Sequence, residues 1–348
     1  MSLFDTRYEF ISAYLKGEEA KILASSNVNS MSKASSTEDV LGIIGETDLG
    51  SYLEGVSVKT FDDLDKHLWV YLGKCLERLE WFKPVPADIL KILNAYIVKY
   101  DVLNMKAALQ GISSGRKANM LPVGVIHNHG LLDELSSAED VDGIIELLTK
   151  CKLENYASVL EECKIDGGVK SRLLVEARLD GECYNNLLNM TKDIIDGAIL
   201  SKAFAVIIDM KNLQVMLRAI IAGIGSEAAE YTISGGYMLS EAVIRDLISL
   251  KLADIPGRLE STQYHNVVAE VVSNYDRSKN ITVVDEIIDK HKFKLSKEIL
   301  SPRVLSPLVV IWYLILKEIE IRDLRLILKA MFDNIPIEEI RDYLVLPS

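Results

Sequence analysis

Carboxylates recurring in one setting are the residues of this chain best placed to do chemistry. Asp101, Asp209 and Glu320 each stand three residues before Asn104, Asn212 or Asp323, and eight before Leu109, Leu217 or Leu328. Two oxygen-bearing side chains three apart share a helix face. Such acids are candidates for acid–base work, or they can hydrogen-bond locally or to a neighbouring helix. Recurrence favours the second use, because one active site does not need three separated copies of its acid. The remaining functional use is a shared surface on which the acids meet a partner. A second acid recurs in an aliphatic-Asp-three residues-aromatic pattern: Asp65 with Trp69, Asp180 with Tyr184, Asp289 with Phe293. These read as anchors for partner side chains or as helix-start residues, with the aromatic in the core one turn later.

Other chemistry is poorly supplied. There is no Gly-x-x-x-x-Gly-Lys-Ser/Thr loop for phosphates and no Gly-x-Ser-x-Gly elbow. Gly111-Ile-Ser-Ser-Gly-Arg116 is a loose glycine loop and reads as a turn. His127-Asn-His129 places two rings near each other without a third ligand, and reads as a solvated loop. His67 and His291 share one repeat position, where Glu182 stands in the second copy. The four cysteines, Cys75, Cys151, Cys163 and Cys183, form no Cys-x-x-Cys pair, so reduced and mostly buried thiols are expected. No catalytic residue, cofactor or metal site is expected.

The elements that must position the acids are helices. Positions four and eight after each acid are apolar (Met105/Leu109, Leu213/Leu217, Leu324/Leu328), which stacks them on one helix face. Pro84 and Pro86 precede the segment from Ala87, and Pro302 and Pro307 precede the one from Leu308, where proline is tolerated as a helix begins. Gly167-Gly168, Gly235-Gly236 and Pro256-Gly257 read as turns between helices. Alternating strand patterns are scarce.

The same helical passage occurs three times, from 101 to 209 to 320, at intervals of 108 and 111 residues. Shorter echoes support the period. Ser36-Thr-Glu38-Asp39-Val40 matches Ser137-Ala-Glu139-Asp140-Val141, and Tyr156 to Glu162 resembles Tyr264 to Glu270. Junctions are alike too: Leu121-Pro-Val-Gly124 answers to Ile233-Ser-Gly-Gly236. Three helical repeats are therefore expected, at residues 1–119, 120–229 and 230–348, packed without long linkers. Units of this size suit a pseudo-threefold ring better than a solenoid, whose units run about 20–45 residues.

The chain has 348 residues, 49% of them apolar, and a net charge of −12. That balance argues against a nucleic-acid surface and against a polybasic lipid-binding patch. Met1–Arg7 has no basic region followed by an apolar stretch, so no signal peptide is expected. The longest apolar run, Leu308 to Leu316, is short of the roughly 20 residues that a membrane helix needs.

These motifs resemble those of the C subunit of A/V-type ATPases (ATP synthases), the family that includes the d subunit of the eukaryotic V-ATPase. The resemblance rests on Tyr96-Ile-Val-Lys-Tyr-Asp101-Val-Leu-Asn104-Met105-Lys106, on Ile208-Asp209-Met-Lys-Asn212-Leu213, and above all on Lys317-Glu318-Ile-Glu320-Ile-Arg322-Asp323-Leu324-Arg325. Glu46-Thr47-Asp48-Leu49 is similar to that family's early Glu-Thr-x-Tyr segment, with the tyrosine missing. The resemblance implies an all-α fold of three similar subdomains in a pseudo-threefold funnel. It implies a non-catalytic central-stalk rotor component, peripheral on the cytoplasmic side of the membrane. Its partners would be the D- and F-type shaft proteins and the proteolipid rotor ring, in ion-driven ATP synthesis or ATP-driven ion pumping. Asp101, Asn104, Asp209, Asn212, Glu318, Glu320, Asp323 and Arg325 would be structural or partner-contact residues. The competing reading is an all-helical cytoplasmic adaptor that binds a protein in a central cavity.

Overall fold

The computed structural model describes residues 8–346, apart from 32, 35, 54–59, 81–85 and 164–168. Pro84, the Gly167-Gly168 turn and Met1–Arg7 lie outside the described residues. Within them every regular element is helical, and the fold is all-α. The first third of the chain holds α1 (Glu9–Glu19), α2 (Ser25–Met31), α3 (Thr37–Ile43), α4 (Asp48–Leu53), α5 (Phe61–Glu80) and α6 (Ala87–Ser114). The second holds α7 (Val125–Asn128), α8 (Leu132–Ser136), α9 (Val141–Lys150), α10 (Glu154–Glu162), α11 (Val169–Met190) and α12 (Gly197–Ala222). The last holds α13 (Glu241–Ile248), α14 (Ile255–Arg258), α15 (His265–Ser278), α16 (Thr282–Leu300), α17 (Leu308–Phe332) and α18 (Ile337–Ile340).

The recurring acids sit on α6, α12 and α17, and these three helices end in the same way. A left-handed residue follows each acid at one distance: Gly115 after Asp101, Gly223 after Asp209, Asn334 after Glu320, fourteen residues on in every case. Beyond it the next N–H reaches back to a carbonyl five residues earlier. Arg116 donates to Gly111 at 3.1 Å, Ile224 to Ala219 at 2.9 Å and Ile335 to Ala330 at 2.8 Å. This is the Schellman stop, which needs φ > 0 at its hinge. Glycine supplies that freely, and asparagine is among the few other residues that tolerate it. The loose loop at Gly111–Arg116 is thus the wrapped end of α6.

Helix starts follow local chemistry. Ser36 accepts the Asp39 N–H, and Asp39 accepts the Ser36 N–H in return, a full capping box for α3. In the matching stretch, Ser137 does not cap. Asp140 accepts the Gly143 N–H instead, so α9 begins at Val141. The two stretches align in sequence but start their helices at different residues, because serine and aspartate are equally good N-caps.

The chain forms two compact units. One comprises residues 1–93, 121–123 and 300–348, the other 94–120 and 124–299. In the first, α17 is the core. Leu308 to Leu316 is buried throughout, and further along the helix Ile321, Leu324, Ile327 and Leu328 are sealed as well. In the second, α12 has the same role, with Leu213, Met216 and Leu217 packed against Leu247, Tyr264, Val268 and Ile288. Burial of these side chains is the dominant stabilising term, about 1.5–3 kcal/mol for each large residue. The recurring aromatics do not all join the core: Phe293 is buried, but Trp69 and Tyr184 are only half-buried. Trp69 lies instead under the Arg325 guanidinium, 5.3 Å from its ring centre.

Candidate functional site

The first two acids are buried and hold backbone. Asp101 is 0% exposed and accepts the N–H of Val125 at 2.8 Å and of Ile126 at 2.9 Å, the first groups of α7. Asp209, also 0% exposed, accepts the N–H of Met238 at 2.7 Å and of Leu239 at 3.2 Å, and the Tyr264 hydroxyl at 2.6 Å. A glycine makes each approach possible. A Cβ on Gly124 (φ +119°) would land on the Asp101 carboxylate, and one on Gly236 would land on that of Asp209. The junction match between Gly124 and Gly236 therefore has a physical cause: the segment opening the next copy rests its backbone on the acid of the copy before.

Glu320 repeats the gesture with different partners. Its Oε1 accepts the N–H of Leu23 at 3.0 Å, in the segment that opens the first copy. Its Oε2 takes Lys317 Nζ at 2.9 Å, and that ammonium also donates to the Tyr71 hydroxyl at 3.0 Å. Lys317 and Glu320 are 0% and 1% exposed, so the pair is completely dry. The second recurring position is equally occupied. Asn212 donates to the Ile233 carbonyl at 2.7 Å and accepts its N–H at 2.8 Å. Asp323 accepts the N–H of Val345 at 2.9 Å and of Leu346 at 2.8 Å, with Arg322 on its other oxygen at 3.0 Å. Asn104 is fully buried on α6, and Glu318 is half-buried on α17.

The long polar residue five places after each acid reaches the next copy. Lys106 is ion-paired to Asp180, which Lys211 also meets. Gln214 donates to Asp285 at 2.7 Å, and Arg218 joins it. Arg325 grips both oxygens of Asp65. Asp180 and Asp65 are residues of the second recurring pattern. In the third copy the equivalent Asp289 pairs with Lys292 on its own helix at 2.5 Å, and Asp285, one turn earlier, receives the tie. The contacts thus run from first copy to second, second to third and third to first, and each lies inside one of the two units.

Burial sets the electrostatics. It pushes the Asp101 carboxyl up to about 7, against the pull of the Ile126 and Val125 amides. It raises Asp209 despite the Tyr264 hydroxyl, and Asp323 despite two amides and Arg322. It lowers the Lys106 ammonium, which Asp180 partly restores. Buried carboxylates occupied by backbone N–H groups are not open to a substrate. Among the described residues no three His, Cys, Asp or Glu side chains stand where they could hold a metal ion, and His127 and His129 are exposed.

The family described as ATP synthase (C/AC39) subunit matches residues 11–343. The chain belongs to that family. The resemblance carried by Lys317 to Arg325 and its counterparts is the correct one. Among its relatives is the C subunit of the A-type ATP synthase of Methanocaldococcus jannaschii, 25% identical, with 97% of this chain and 86% of that one aligned. Those of Thermococcus kodakarensis and Pyrococcus furiosus are each 24% identical over 97% of this chain and 90% of theirs. An ATP synthase C/AC39 subunit is a structural, non-catalytic part of a membrane-associated complex. No described helix of the chain is long and apolar enough to cross a membrane.

Several residues of the seams escape a reading of the sequence. Lys317 follows the apolar run that ends at Leu316 and is buried with its partner three places on. Asn334 hides the third helix stop because it replaces a glycine, although its distance from Glu320 would have found it. Asp285, Lys211 and Leu23 carry no local signal.

Proposed function

We propose that this protein links the membrane rotor ring to the central shaft of its A/V-type ATP synthase, passing torque without catalysing a reaction. On this reading it sits on the cytoplasmic side of the membrane, between the proteolipid ring and the D- and F-type shaft proteins. Its three helical copies stand about a pseudo-threefold axis as a funnel. The observation that carries the reading is the run of seam contacts from each copy to the next. A coupler must be stiff, and charge-assisted bonds between helices fix their geometry more specifically than apolar packing alone. Asp101, Asn104, Asp209, Asn212, Glu320, Asp323 and Arg325 then serve as internal ties, while Glu318, half-buried, serves the partner side.

Reconstitution tests this. Vesicles bearing the rotor ring are mixed with the D- and F-type shaft proteins, with and without this chain. The expected result is that the shaft proteins sediment with the vesicles only when the chain is present, and that ion-driven ATP synthesis by the full complex requires it. Binding to neither ring nor shaft overturns the proposal. A solution scattering envelope without a central opening overturns the funnel.

A further inference from the structure

Close to the Glu320 seam, one buried acid has an incomplete set of partners. α1 buries Ile11, Ser12, Leu15 and Glu18. Glu18 is 5% exposed. Lys21 donates to its Oε1 at 2.7 Å, but its Oε2 is buried and meets no hydrogen-bond donor. The same Lys21 ammonium lies 3.4 Å from Asp48 Oδ1, and Arg78 comes within 3.8 Å of Asp48 Oδ2. Two carboxyl groups therefore crowd one ammonium, and the more deeply buried of them has an orphan oxygen. A carboxylate oxygen shut away from water without a donor is costly, and two carboxylates sharing a site do not both ionise readily. One proton on Glu18 Oε2, turned toward Asp48, removes both difficulties.

We propose that α1 and the turn after it are latched against α4 by a proton held between Glu18 and Asp48, so that residues 9–23 loosen as the pH rises. The surroundings favour that proton. Lys21 and Arg78 are half in water and compensate a buried oxygen weakly. Lys317, on α17, is already committed to Glu320 and Tyr71. The other titratable neighbours are Tyr14 on α1, Tyr71 and Cys75 on α5, and Tyr313 on α17; burial raises all four, so they stay neutral. Burial pushes the Glu18 carboxyl up, and Asp48 adds to the push. Burial also acts on Asp48, but Glu18, Lys21 and Lys317 outweigh it and hold that group down. A group raised in the folded state stabilises it at low pH, and that contribution is lost as the pH climbs through the raised value. The latch bears on function because the strap it holds also donates Leu23 N–H to Glu320 and accepts the Trp312 indole N–H at Glu19, 3.1 Å away. It stands whether or not the protein is a torque coupler.

The test is amide hydrogen exchange on the full chain from about pH 4, the ordinary glutamate range, up to about pH 9, with rates corrected for intrinsic exchange. The strap amides from Leu15 to Leu23 are read against the buried Leu213 of α12. In the wild type their relative protection is expected to fall about tenfold across the range. Glu18→Gln, neutral and of the same shape, should keep the strap protected at every pH. A flat wild-type profile, or a Gln variant loose at every pH, overturns the latch. Should that variant fail to fold, the wild type labelled at its glutamate carboxyl carbons decides instead. One such carbon must titrate well above the ordinary range of about 4.3, and its absence overturns the proposal.

Discussion

Asp101 and Asp209 contrast with Glu320 in one instructive way. The short acids face glycine: Gly124 and Gly236 let the incoming backbone rest directly on the carboxylate. The long acid, with one methylene more, meets the N–H of Leu23, a residue that carries a full side chain. The short acids hold neighbouring segments and take only hydrogen bonds from neutral donors. The long one joins groups 297 residues apart and takes a lysine as well. What the repeat preserves is a contact between one copy's helix and the next copy's first backbone groups. The acid's length and the presence of a glycine vary together to keep that contact.

The largest effect expected from breaking this equivalence is at the third seam. Glu320→Ala strands the buried Lys317 ammonium and the Leu23 N–H, and should cost about 3–5 kcal/mol in urea unfolding. Asp209→Ala strands two amides and a tyrosine hydroxyl without leaving a charge, and should cost about 2–4 kcal/mol. A larger loss at Asp209 than at Glu320 would mean that the ion pair adds nothing to the third seam. Next, Gly124→Ala places a Cβ on the Asp101 carboxylate at a φ suited to glycine, for about 1–3 kcal/mol. Its combination with Asp101→Ala should lose clearly less than the sum of the two, since the clash disappears with the carboxylate.

A subtler test uses pH. The Asp101 carboxyl is raised by burial to about 7. Its neutral form is therefore the one the fold prefers. The associated stability is complete below its ordinary value near 3.9 and is lost as the pH rises through about 7. Asp101→Asn should flatten that part of the stability profile, read as urea midpoints between about pH 5 and 8. An unchanged slope would mean that other groups set it. The smallest effect is at the helix stop: Asn334→Gly should raise stability by up to about 1 kcal/mol, because glycine meets the left-handed hinge without strain.

How much of this was legible in the sequence depends on how far each partner lies along the chain. The helices were plain, because Met105/Leu109 and their counterparts mark a face at a spacing that a helix imposes. The recurring acids were equally plain. Their partners were not: the amides bound by Asp101 lie 24 and 25 residues on, and the one bound by Glu320 lies 297 residues away, where no periodicity points. Backbone N–H groups also leave no trace in residue type. Trp69 shows a different failure. An aromatic one turn after an aspartate has the look of core, yet the cation that binds the aspartate also covers the ring.

The fixed distance from each acid to its left-handed hinge has one more consequence. A residue added to or removed from those fourteen would turn everything beyond it by about 100° and swing the acid off its backbone target. Between hinge and next clasp the length differs: that stretch runs from Gly115 to Val125 in one copy and from Gly223 to Met238 in another. Insertions and deletions should therefore collect in those connectors across the family. A tag or a fused domain placed after Gly115, which is exposed, is the graft this scaffold should accept with its seams intact.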